Sequence, residues 1–245
     1  MTVTTAGLAA APPLDLGRVI EATLRVTTRR AADIIVVGLP FVFLPNMLVE
    51  LLPPDLAVFR LATGLPSLVF VGGVSLLAHR EITGGARIGA GEAIAAGAGK
   101  FFSLWGAGII ANIGALIGLV LLVVPGLVVL ASLAPASTAI MVEDETAAGS
   151  VQRAWNLARG SRWRMTALLL AAFAAILMLL LLTMIVGVIL VLALGFDLGP
   201  KVGRIVWAPF LTILIIGITT VGSTAAYVGL REAQQGAANL AEVFT

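Results

Sequence analysis

The chain has 245 residues, of which 60% are hydrophobic and 11% charged, with a mean hydropathy of +1.09. Soluble domains carry about a quarter charged residues, so this composition describes an integral membrane protein and leaves no room for a separate soluble catalytic domain. The net charge of +2 and the sequence pI near 9.7 speak for topology and anionic lipid rather than nucleic acid. The absence of cysteine removes disulfides and thiolate chemistry.

Residues 1–13 are small, uncharged and end in Pro12-Pro13, and they read as a disordered tail. From Leu14 to Arg30, Leu16, Val19, Ile20 and Leu24 recur at helical spacing opposite Arg18, Glu21, Arg25 and Arg29, which predicts an amphipathic surface helix with an i,i+4 pair at Glu21 and Arg25. A first span follows over 31–52, kinked at Pro40 and Pro45. A second, over 56–78, stops at His79-Arg80-Glu81.

The stretch from Ile82 to Lys100 reads as a polar, glycine-rich loop. Its GAGEAIAAGAGK is not a phosphate loop, because Ile94 stands at a required glycine and Phe101 replaces the magnesium-binding Ser or Thr. About forty uncharged residues then run to Val142, enough for two spans of about 20. Pro125-Gly126 is the natural turn between them, giving spans over 101–123 and 127–142. Gly114 and Gly118, in a small-xxx-small pattern, predict close helix packing within the chain.

Met141 to Met165 is the longest interior run that a bilayer would reject. Three acids (Glu143, Asp144, Glu145) precede, and four arginines (Arg153, Arg159, Arg162, Arg164) occupy or follow, an amphipathic helix predicted over 146–160. Val151, Ala154, Trp155 and Ala158 share its apolar face; Gln152, Arg153, Asn156 and Arg159 share the other. The arginines, flanked by Trp155 and Trp163, are the candidate lipid-headgroup site: guanidinium groups hold phosphate bidentately and indole prefers the membrane interface.

Residues 166–194 form an apolar run too long for the bilayer core, which must tilt or project. A last span covers 205–229, and residues 237–245 read as a polar tail closing a membrane domain of residues 14–236. Six alternating spans from a cytoplasmic start place Arg18, Arg25, Arg29, Arg30, Arg80, Arg87, Lys100, Arg153, Arg159, Arg162, Arg164 and Arg231 inside, and only Arg60, Lys201 and Arg204 outside. The fold expected is thus all-α, a bundle of six transmembrane helices with amphipathic cytoplasmic surface helices and both termini in the cytoplasm. A surface segment near Gly17, Gly89 or Gly149, followed each time by basic residues and two spans, hints at a threefold repeat.

No constellation for catalysis emerges. His79 is the only histidine and stands beside Arg80 at a predicted boundary. Asn46 and Asn112 are candidates for hydrogen bonds between spans, and Glu50 lies near an outer end. We therefore expect no enzyme, catalytic residue, metal or cofactor. The expected partners are membrane lipids, anionic ones among them, and a membrane or cytoplasmic protein, with no nucleic acid.

One resemblance bears on function. Val123-Val124-Pro125-Gly126, Glu143-Asp144, the segment Ala154 to Arg164 and Tyr227-Val228-Gly229-Leu230-Arg231-Glu232 resemble the membrane domain of bacterial glycerophosphoryl diester phosphodiesterases and related multi-pass proteins, over about residues 14–236. The resemblance implies a six-helix module of the bacterial plasma membrane. It implies no activity, since the soluble catalytic domain of those enzymes has no counterpart here. The function expected is a non-enzymatic module that organises lipid or a partner at the cytoplasmic surface. The alternative is a transporter or permease for a lipid-like or small amphiphilic solute, which a polar cavity lined by Asn46 and Asn112 would favour.

Overall fold

The computed structural model describes residues 14–53, 64–194 and 203–243, which are helical with short joints and contain no strand. In chain order the helices are α1 (Leu16–Arg29), α2 (Ala31–Gly38), α3 (Leu44–Leu51), α4 (Gly64–Ile82), α5 (Ala90–Gly99), α6 (Phe101–Leu121), α7 (Val123–Leu133), α8 (Ala136–Glu143), α9 (Ala147–Leu157), α10 (Arg162–Leu194) and α11 (Ala208–Val243). Six helical stretches are long and apolar enough to cross a membrane: Ala31–Leu51, Gly64–Ile82, Phe101–Val120, Val123–Glu143, Arg162–Ile189 and Ile205–Gly236.

The element order repeats three times, as a short helix (α1, α5 or α9) followed by two long stretches. Two of the three joints agree in detail. A single basic residue links α1 to α2 (Arg30, φ −112°, ψ 16°) and α5 to α6 (Lys100, φ −106°, ψ 11°). Each pairs with an acid at the end of its own hairpin, Arg30 with Glu81 at 2.9 Å and Lys100 with Asp144.

Several boundaries move from their sequence reading. Pro40 and Pro45 do not break the first span; a π-helical turn at Leu39–Phe43 absorbs the disruption between α2 and α3. The span ends where Leu52 turns extended before Pro53. Leu56 to Thr63 lie outside the described residues, and α4 runs on past residue 78 to Ile82. The glycine-rich stretch expected as a loop contains a helix, α5, and its glycines serve contact. A Cβ on Gly97 would stand 2.3 Å from the Val69 carbonyl oxygen, and one on Gly73 would stand 2.9 Å from that of Ala93.

The hairpin turn is not at Pro125-Gly126 but at Leu122 (φ −168°, ψ 140°). Pro125 sits in the first turn of α7, where a missing N–H costs nothing. Gly126 meets Gly118 across the hairpin, and a Cβ on Gly118 would stand 2.8 Å from the Gly126 Cα. Gly114 has ordinary contact, with Val129 Cγ1 3.6 Å from its notional Cβ. The expected glycine packing is therefore within the chain, and Gly118 is its tight point.

The fifth span starts earlier than expected, so Arg162 and Arg164 belong to the first turn of α10 rather than to a preceding joint. The sixth continues past residue 229 to Val243, so the stretch read as a polar tail is helical through that residue. Residues 1–13, with the expected disordered tail, lie outside the described residues, as do Arg60 and Lys201.

Inside, α4, α8 and α11 carry the polar seams. Thr138 and Thr224 hydroxyls lie 3.0 Å apart, and Ser75 donates to Ser137 at 3.5 Å. Apolar packing centres on the same helices: Phe70, Val74 and Leu77 of α4 join Ile213 and Val221 of α11 in one cluster, and Ala139, Leu157 and Tyr227 join in another. By contrast, none of the most apolar stretch of α10 is buried.

Candidate functional site

The arginine cluster forms where α9 and α10 meet α8 and the C-terminal half of α11. Thr146 caps α9 by accepting from the Gly149 N–H at 3.2 Å. Asp144 stops α8 in the left-handed conformation (φ 58°), which short polar side chains tolerate. The inward face of α9 is Ser150, Ala154 and Leu157, with Ala158 buried just beyond it. Gln152, Asn156 and Arg159 are exposed, as the spacing predicts.

Arg153 departs from that pattern. It turns from the polar face to hold Glu143 with two bonds, Nε to Oε2 at 2.8 Å and Nη2 to Oε1 at 3.1 Å. The buried Tyr227 hydroxyl donates to the same carboxylate at 2.6 Å, and Arg231 Nη1 lies 3.9 Å away. The Glu143 bonds raise the Arg153 pKa above its ordinary value. This knot joins Glu143, Arg153, Tyr227 and Arg231, far apart in sequence, and ties α9 to α8 and α11.

The other arginines divide between anchoring and exposure. Arg162 lies over the Trp155 ring, 3.9 Å from its centroid, a contact that opposes the unfavourable placing of a cation at a helix N-terminus. Arg164 Nη1 donates to the Leu14 carbonyl at 2.8 Å, fastening the start of α10 to the start of α1. Arg159 is exposed, and Trp163 is 71% exposed. The basic, aromatic face the sequence proposed is therefore carried outward by Arg159, Arg164 and Trp163, while Arg153, half-buried, is paired with Glu143.

A second charged centre was missed by the sequence reading. Arg30, counted there only for topology, is 2% exposed. It donates Nε to Glu81 at 2.9 Å, Nη1 to Asp33 at 2.9 Å and Nη1 to the Ile88 carbonyl at 3.4 Å. Burial disfavours its charge, but the bonds to Asp33 and Glu81 prevail and hold its pKa above the ordinary value. The available signal was Asp33, an acid three residues on at the opening of an apolar span.

The remaining candidates stay apart. Asn46 and Asn112 each donate to a carbonyl one turn back in their own helix, at 2.7 and 2.8 Å, instead of bridging spans. Among the described residues no three of His, Asp or Glu gather as metal ligands would.

Residues 35–230 match the family described as domain of unknown function DUF7847, and the chain belongs to that family. That description assigns no activity and makes no reference to phosphodiesterases. No curated protein and no solved structure matches the chain.

Proposed function

We propose that this protein is a non-enzymatic, six-span membrane module that gathers anionic lipid at its arginine-bearing face, with both termini in the cytoplasm of a bacterial cell. The observation that carries this reading is the division of labour in the cluster. Arg153 is spent on Glu143, which fixes α9 in place, while Arg159 and Trp163 stand exposed beside it. A face so rigidly held offers preset cations and an interfacial indole to headgroups. The charge count favours the cytoplasmic side. The transport alternative draws less support, because Asn46 and Asn112 turn to their own backbones.

The test is binding of phosphatidylglycerol against phosphatidylcholine in nanodiscs as salt is raised. Each basic residue near an anionic surface contributes about 1 kcal/mol, so Arg159→Gln with Arg164→Gln should weaken the phosphatidylglycerol preference about thirty-fold at low salt. The difference should shrink as the Debye length falls to about 8 Å at physiological ionic strength. A folded double variant with the parent's preference at every salt concentration would reduce these arginines to topology determinants.

A further inference from the structure

Beside the arginine cluster, α10 stands away from α11 and leaves a cleft of about 310 Å³ closed at the sides by α1 and α7. Its long wall runs from Met165 through Ala172 to Ala175 on α10. Ten residues of helix rise about 15 Å, half the roughly 30 Å thickness of a bilayer core and so the depth of one leaflet. The hydroxyls on the other walls do not make it polar. Thr23 donates to the Val19 carbonyl at 2.7 Å, Thr219 to that of Ile215 at 2.8 Å and Ser223 to that of Thr220 at 2.9 Å. With each hydroxyl turned to its own backbone, the cleft presents hydrocarbon and asks for hydrocarbon in return.

One end of the wall is charged. Arg162 and Arg164 lie within the turn before Met165 on the same helix, one stacked on Trp155 and the other bonded to the Leu14 carbonyl, so a chain laid along Met165–Ala175 brings its head to the level of that basic turn. Apolar depth and charge together describe a phospholipid, with one acyl chain in the cleft and its phosphate at the mouth. We infer that this cleft between α10, α11 and α1 is a seat for one acyl chain of a membrane phospholipid. The placing of its headgroup rests on the lipid-gathering reading above; the apolar seat stands on the cleft itself.

Native mass spectrometry of the full chain, released from micelles with added dipalmitoyl phosphatidylglycerol or phosphatidylcholine, tests the seat. The parent should retain one phosphatidylglycerol. Ala172→Phe with Ala175→Phe, which fills the cleft, should cut retention at least ten-fold, while Leu177→Phe on the exposed side of α10 should leave it unchanged. If the filled variant retains phosphatidylglycerol as the parent does, the seat is overturned and the arginine reading survives. If phosphatidylcholine is retained equally well and is lost on filling, the seat stands and the arginine reading falls. Should the filled variant fail to fold, phosphatidylglycerol with a diazirine in its acyl chain decides the matter on the unaltered protein. Adducts concentrated at Met165, Ala172 and Ala175 support the seat; adducts spread evenly over the exposed residues of α10 overturn it.

Discussion

The helices α4 and α10 are both apolar enough to cross a membrane, yet 44% of the most apolar stretch of α4 is buried and none of that of α10. Small side chains at the crossings of α4 contribute to the difference, beside its buried Phe70, Val74 and Leu77. At its crossings α4 offers Gly72, Gly73 and Ser75, which admit the backbone of α5 and the hydroxyl of Ser137. Along α10 stand Leu170, Leu177, Leu181 and Ile185, all more than half exposed. In a bilayer core leucine would gain little by turning inward, while small residues let helices approach closely enough for larger neighbours to pack. Among the described residues the candidate span of highest hydropathy is thus the one whose most apolar stretch is least buried.

Breaking the contact of α5 with α4 should have the largest effect. Gly97→Val drives a side chain into the Val69 carbonyl, 2.3 Å from the added Cβ, and should cost about 3 kcal/mol or more. In micelles the variant should elute as aggregate or melt far below the parent. Leu177→Ala on α10, exposed in the structure, should stay within about 0.5 kcal/mol.

Next comes the buried Arg30. Arg30→Ala leaves Glu81 and Asp33 only the longer contacts with Arg29 at 3.8 Å and Arg87 at 4.0 Å; because both acids are also partly exposed, we expect about 2 kcal/mol rather than the 3–5 typical of a fully buried pair. Adding Glu81→Ala should restore part of the loss, readable as a rise in melting temperature over the single variant.

The hairpin distinguishes two glycines that look alike in sequence. Gly118→Ala should cost about 1–2 kcal/mol through its clash with the Gly126 backbone. Gly114→Ala, facing only Val129 at 3.6 Å, should be neutral within about 0.5 kcal/mol by the same melting assay.

The smallest effect is at Asp15, the N-cap of α1. Backbone hydrogen bonding from Arg18 acts first among the influences that lower its pKa below the ordinary 3.8. A lowered folded pKa means that the cap's contribution is present above pH 3.8 and lost as pH falls through the folded value. Helix α1 should loosen in amide exchange below that pH, and Asp15→Asn should flatten the dependence.

Much of this architecture was legible because the signals were local. Runs such as Thr166 to Leu194 need no partner to declare themselves, and of the apolar face expected on α9 Ala154 and Ala158 are buried while Val151 and Trp155 are only half-buried. What escaped depended on distant partners. Arg153 reads as a surface cation until Glu143 and Tyr227 are brought beside it, and Arg30 until Glu81 arrives from the end of the hairpin. The glycines of α5 weaken its helical signal in isolation, since their gain lies in contact with Val69 and Gly73. Pro125 marked the hairpin correctly but opens the following helix instead of forming the turn.

The central contrast, an exposed α10 against an inner α4, can be measured directly because the chain lacks cysteine. Single nitroxide labels at Leu170→Cys, Leu177→Cys and Met184→Cys in bilayers should collide freely with oxygen and hardly at all with a water-soluble nickel chelate, whereas a label at the exposed Arg87→Cys should show the reverse. Nickel access at Leu177 equal to that at Arg87 would place α10 in water, and shielding from both reagents would place it against protein; either result would contradict the account.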